Sequence, residues 1–180
     1  MNAALLIIDL QKAIDHPSCG RRNNPQAEAN IAALLAAWRA AGRPIYHIRH
    51  DSLEPQSHYR PGQPGNDFKP EALPLPGEPV IVKQTNSAFI GTDLEAQLRQ
   101  AGHNALVIAG VITNNSVEAT ARMAGNLGFD TYVVEDATFT FGRDDWNGTP
   151  RTAEEVHAMS LANLHGEYCT VVRTAKILGE

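Results

Sequence analysis

Cysteine is scarce in this 180-residue chain, with only Cys19 and Cys169 and no CxxC pair between them. Two isolated cysteines make no disulfide framework, and a reducing compartment is the expectation. Aromatic residues are few, at 6%. Long apolar runs are missing too. The first, Ala3 to Ile8, is far shorter than a membrane span and has no basic flank, so neither a signal peptide nor a transmembrane helix is expected. Nor is there an excess of positive charge. The net charge is −5, which argues against nucleic acid and anionic membrane as partners. Gly110, Gly125 and Gly128 form neither G-x-G-x-x-G nor a P-loop, so no nucleotide cofactor is expected. These absences leave a small cytoplasmic protein acting on a small molecule without a cofactor.

What is present is ordinary globular composition, 43% hydrophobic and 19% charged. The run Ala3–Ile8 is continuous rather than alternating and ends at Asp9, which predicts a strand buried on both faces. Residues 25–41 carry helical spacing between Pro25 and Gly42. Strands are expected at Pro44–Arg49, at 80–84 (buried, ending at Lys83), at 105–111, at 130–137 and near Cys169–Val172. Helices are expected over Asp93–Ala101, over 116–128, and over Thr152–Asn163, where Thr152 and Glu155 form a capping-box pair. Between them, residues 52–79 hold seven prolines and no periodicity, the mark of a long functional or disordered loop. Strands alternating with helices predict a three-layer α/β/α domain over 1–180, with a doubly wound, mostly parallel sheet of about six strands.

Open α/β sheets place their sites at the carboxyl ends of strands. That rule singles out Asp9, Lys83 and the turn VITNNS, which leads from Gly110 to a helix near Ser116. Each alone is as well read as a turn, a solvated strand end or an N-cap. Together they are an acid, a cation and a hydroxyl on one sheet edge.

The segments LLIIDLQKA, VIVKQTNSAFIGTDLEAQL and LVIAGVITNNSVEATARMAGNLGFDTYVVEDA resemble, in that order, those of isochorismatase-like cysteine hydrolases. The resemblance runs from about residue 4 to residue 175. It implies an Asp–Lys–Cys triad at Asp9, Lys83 and position 116, and a non-proline cis peptide at Val111–Ile112. It also implies an oxyanion hole from the backbone N–H groups of Ile112 and residue 116. The implied chemistry is covalent acyl transfer to an activated thiolate, with Asp9 moving the proton. It implies hydrolysis of a small amide, ureido or carbamoyl C–N bond, in a homodimer or homotetramer.

Position 116 departs from that pattern, holding Ser where the family has Cys. A cysteine thiol, with a pKa of about 8.5, can be ionised by a lysine and a helix terminus, whereas a serine hydroxyl cannot. Three accounts stand: a Cys→Ser replacement that traps substrate, a vinyl ether hydrolase of the isochorismatase type using Asp9 as acid, and an inactive relative kept for binding or assembly. Around the triad, Gln11, Asn86, Asn115, Phe89, Tyr59 and Trp146 are candidate substrate contacts. Asn114 is another candidate near the site. Loops 52–79 and 138–150 are the expected carriers of specificity. His47, His50, Asp51 and His58 could suggest a metal site, but their spacing fits a ligand set poorly, and no metal is expected.

Overall fold

A computed structural model describes residues 3–179. Strand β1 (Ala3–Ile8) lies at the middle of a six-stranded sheet, with β2 (Ile45–His50) and β3 (Val80–Lys83) on one side. On the other side lie β4 (Ala105–Val111), β5 (Asp130–Phe139) and β8 (Thr170–Val172). The order is β3-β2-β1-β4-β5-β8 and every pairing is parallel. Alternate residues of β1 explain its unbroken apolarity. Ala4, Leu6 and Ile8 pack against α2 (Leu94–Gln100), α3 (Glu118–Asn126) and α4 (Ala153–Leu164). Ala3, Leu5 and Ile7 pack against α1 (Ala27–Ala40), whose Ile31, Leu34, Leu35 and Trp38 are buried, with α5 (Thr174–Leu178) beside it. This is the expected three-layer fold. No described helix is long and apolar enough to cross a membrane.

Several elements differ from the expectation. β3 is an edge strand and only half buried: Val80 and Val82 point from one face and are exposed, while Ile81 and Lys83 point from the other and are buried. α1 begins two residues after Pro25. The helix expected from Ser116 starts instead as a π-helical turn over Thr113–Val117, continued by α3. Ser116 therefore lies inside a turn, not at a cap. The short hairpin β6 (Arg143–Asp144) with β7 (Pro150–Arg151) falls in a segment read only as loop, since two-residue strands leave no periodicity.

The order of strands reverses between β1 and β4, so their carboxyl ends flank the switch point where ligands bind in such sheets. Gly110 is required there. Its φ is +115°, and a Cβ would sit 2.2 Å from the Ile8 carbonyl oxygen.

The proline-rich segment is pinned, not loose. Lys69 Nζ donates to Glu28 and to Asp15, both at 2.8 Å. Glu78 accepts from Arg39 at 2.7 and 2.9 Å and contacts His47 at 2.7 Å. Burial alone would raise the Glu28 carboxyl, but hydrogen bonds from Arg22 and Lys69 outweigh it and hold the pKa at about 2. Its folded pKa lies below the unfolded value of 4.5, so its stabilisation is present above pH 4.5 and is lost as pH falls towards 2. Glu28→Gln is accordingly expected to remove up to about 3 kcal/mol at pH 7 and to flatten the acid limb of a urea-denaturation stability profile. An unchanged acid limb would contradict this.

Candidate active site

The backbone of β1 ends by turning Asp9 into a left-handed conformation, φ 49°, which Asp adopts more readily than most residues. This presents a 4%-exposed carboxylate at the sheet edge. Lys83, 1% exposed, closes β3, and its Nζ donates to Asp9 Oδ2 at 2.7 Å, to the Thr85 carbonyl at 2.9 Å and to Ser116 Oγ at 3.2 Å. The Val111–Ile112 peptide is cis. It leads into the π turn, closed by Val117 N–H donating to the Ile112 carbonyl at 3.3 Å, an arrangement frequent at functional sites. The turn delivers Ser116 to the Lys83–Asp9 pair.

Burial raises the Asp9 pKa above its ordinary 3.8, against the lowering pull first of Lys83 and then of the Ser116 hydroxyl. Asp9 Oδ1 is buried and has no hydrogen-bond partner among the described residues. The carboxyl thus keeps that one oxygen without a hydrogen-bond partner among the described residues, beside Ser116.

Asp9 and Ser116 face a cavity of about 290 Å³ that Ile112, Asn115, Asn86 and Tyr59 also line, with Lys83 buried behind them. Its lining includes no arginine among the described residues. The size suits a ligand smaller than a typical drug. Three of the expected contacts, Asn115, Asn86 and Tyr59, and the expected oxyanion-hole residue Ile112 therefore line the same cavity as Asp9 and Ser116. Tyr59 comes from the proline-rich loop, and its hydroxyl reaches the Asp9 carbonyl at 3.5 Å. Burial, then the nearby Asp9 charge, keeps its phenol well above the usual range and so un-ionised.

Three expected contacts lie elsewhere. Gln11 is fully buried and its amide is committed to backbone. Nε2 donates to the carbonyls of Asn66 at 2.8 Å and His50 at 3.1 Å, and Oε1 accepts from His50 N–H at 2.7 Å. Phe89 stacks on Phe129 at 5.8 Å within the core. Trp146 is 92% exposed beside a larger groove between the β6–β7 hairpin and α4. Asn114 lines that groove as well, accepting from Thr140 Oγ1, so adjacent residues of one turn face opposite ways.

His50 belongs to the pocket and was read only as a poor metal ligand. Its Nδ1 lies 3.4 Å from Lys83 Nζ and its ring meets Tyr59 edge-on. Burial and then the Lys83 charge lower its pKa, leaving a neutral imidazole that can accept from the ammonium. The other three residues weighed as ligands separate: His47 pairs with Glu78, Asp51 with Arg49, and His58 stacks on His16. Among the described residues no His, Cys, Asp and Glu cluster could hold a metal ion. Cys19, Ile14 and Phe141 complete the apolar wall, and sequence carried no signal for them because they converge from separate loops.

The chain matches the isochorismatase domain family over residues 3–176. An isochorismatase-family protein of known structure from Chromobacterium violaceum superposes with a TM-score of 0.97 at 65% identity, covering 99% of this chain and 92% of that one. The uncharacterized isochorismatase family protein YrdC of Bacillus subtilis is 42% identical over 98% of this chain and 95% of its own length. Nicotinamidase 3 of Arabidopsis thaliana is 28% identical over 97% of this chain and 86% of its own. With a domain match across nearly its whole length, this chain belongs to the isochorismatase family of hydrolases.

Proposed function

We propose that this protein hydrolyses a C–N bond of a small, uncharged amide, ureide or carbamate, with Asp9 as the proton carrier, Lys83 as its fixed counter-charge and Ser116 at the attacking position. The observation that carries this reading is the contact of Lys83 with both Asp9 and Ser116, the latter two lining one small cavity without an arginine among the described lining residues. Such a wall suits a neutral substrate better than an anionic one, which would call for guanidinium partners. Ser116 Oγ accepts from the Lys83 ammonium, so its own proton is available to the unpartnered Asp9 Oδ1. The carboxyl then returns that proton to the leaving nitrogen. The backbone N–H groups of Ile112 and Ser116 are the proposed donors to the carbonyl oxygen. A nicotinamidase among the relatives supports amide chemistry on this scaffold.

A second reading, acid-catalysed vinyl ether cleavage, is favoured by one observation. Ser116 has no histidine among its hydrogen-bond partners, whereas an acid role needs only protonated Asp9, whose pKa is raised. The two readings part in one experiment. Ammonia or amine release from a panel of small amides, ureides and carbamates is measured for the parent, Ser116→Ala and Ser116→Cys. Under the C–N reading Ser116→Ala loses about 10²-fold or more in kcat. Ser116→Cys rises above the parent, because a thiol ionises in a field that leaves serine protonated. Silence of both parent and Ser116→Cys on the panel, with vinyl ether cleavage by the parent, would replace the first reading by the second.

A further inference from the structure

Behind the Ser116 turn, on the side away from Lys83, lies a polar cluster that no step above uses. Thr113, the first residue of the turn, is fully buried, and its Oγ1 lies 2.8 Å from His157 Nδ1 and 3.2 Å from Thr138 Oγ1. Its carbonyl accepts from Ser160 Oγ at 3.2 Å, and the same hydroxyl contacts Glu118 Oε2 at 2.5 Å. His157 and Ser160 stand one turn apart on α4, and both are buried. Asn24, held in a left-handed conformation, donates to the carbonyls of Glu135 and Thr138 at 2.8 and 2.7 Å and approaches His157 Nε2 at 3.5 Å.

The Asn24 amide hydrogens are committed to two carbonyls. Burial lowers the His157 pKa and so favours the neutral ring, against the raising pull of Glu135. A neutral ring accepting at Nδ1 takes the Thr113 hydroxyl as its donor, and Thr138 then donates to Thr113. A buried network of this kind is costly unless every member is satisfied, and then it permits one geometry.

We propose that His157 is a positioning residue for the hydrolase, acting through Thr113 to fix the turn that sets the Ser116 hydroxyl and the Ile112 and Ser116 N–H groups against the substrate. Four elements meet at this point: the turn, α4, the end of β5, and the loop before α1. The residue nearest the chemistry is thereby tied to the layer of helices and not to its own strand alone. Displacement of an attacking group by about 1 Å can cost about 10²-fold in rate with little loss of binding.

This inference rests on the hydrolase reading, and its test keeps the two apart. His157→Leu removes the acceptor, whereas His157→Asn places a carbonyl oxygen near the position of Nδ1. Steady-state kinetics and amide hydrogen exchange are measured on the parent, both variants, Thr113→Val and the Thr113→Val/His157→Leu pair. His157→Leu is expected to lower kcat by about 10-fold or more with KM within about twofold. His157→Asn restores most of that rate, and the paired variant is no worse than the poorer single, because both remove one bond. Exchange at residues 113–117 quickens about 10-fold in His157→Leu and recovers in His157→Asn. A parent that turns over no substrate sinks the hydrolase reading, while the exchange pattern still judges the clamp. Exchange and kcat unchanged in His157→Leu, or lost equally in His157→Asn, would overturn the positioning role.

Discussion

Asp9→Asn is expected to lower kcat/KM by about 10³-fold or more for any substrate the parent turns over. The asparagine keeps the size of the side chain and can still accept from Lys83, so the shape of the pocket is kept while the proton carrier is gone, at a cost in stability because Lys83 loses its counter-charge. The pH profile gives a sharper test than the rate alone. Burial lifts the Asp9 pKa above 3.8, so a base at this position is switched off by acid at a higher pH than an ordinary aspartate. The parent's kcat/KM should rise with pH through that raised value. In Asp9→Asn the residual rate should lose this limb. If Asp9 acts instead as an acid, as vinyl ether cleavage requires, the same group gives a falling limb and activity is greatest when the carboxyl is protonated. A variant that keeps both the parent's rate and its acid limb would remove Asp9 from the chemistry altogether.

The parts of the site legible in sequence are those that strand ends supply. Asp9 and Lys83 terminate apolar runs, and the switch-point rule says what such positions do. Ser116 was legible as a position, though its π turn was not, because i→i+5 bonding leaves no periodicity distinct from a helix start. Side chains that reach the pocket from loops were legible only in part. Asn86 is legible through its nearness to the motif and Tyr59 as a loop aromatic able to cover the pocket, but Cys19 and Phe141 are not. Phe89 and Gln11 failed for opposite physical reasons. Phe89 is drawn into the core by the Phe129 ring, and Gln11 is consumed by the backbone of His50 and the proline-rich segment. Gln11 nonetheless serves the site at one remove, since it fixes the strand end that carries His50 beside Lys83. His157 lies 44 residues from its Thr113 partner on another element, a pairing no local spacing predicts.

The buried Asp9–Lys83 pair makes the largest demand on stability, and its removal in two ways should separate function from folding. Lys83 is almost fully enclosed, so its charge is tolerable only because Asp9 lies 2.7 Å away and Thr85 supplies a carbonyl. Lys83→Met leaves a buried carboxylate without its counter-charge. Breaking such a pair from one side typically costs about 3–5 kcal/mol, and the orphaned group escapes part of that cost by holding its proton. The variant should therefore unfold at a lower urea midpoint at pH 7 and recover stability as pH falls towards the Asp9 pKa, which loss of Lys83 raises further. Sign and window follow from the chemistry: an acid whose folded pKa exceeds its unfolded one destabilises the fold as pH rises through both. Adding Asp9→Leu to Lys83→Met removes the remaining charge. Replacing both members of a buried pair by apolar groups is often neutral or stabilising, so the double variant should regain most of the loss while remaining without activity. Such a protein, stable and inert, would mean that the pair is maintained for catalysis at the expense of the fold. A double variant no more stable than Lys83→Met alone would instead assign the pair a structural role that apolar packing cannot fill.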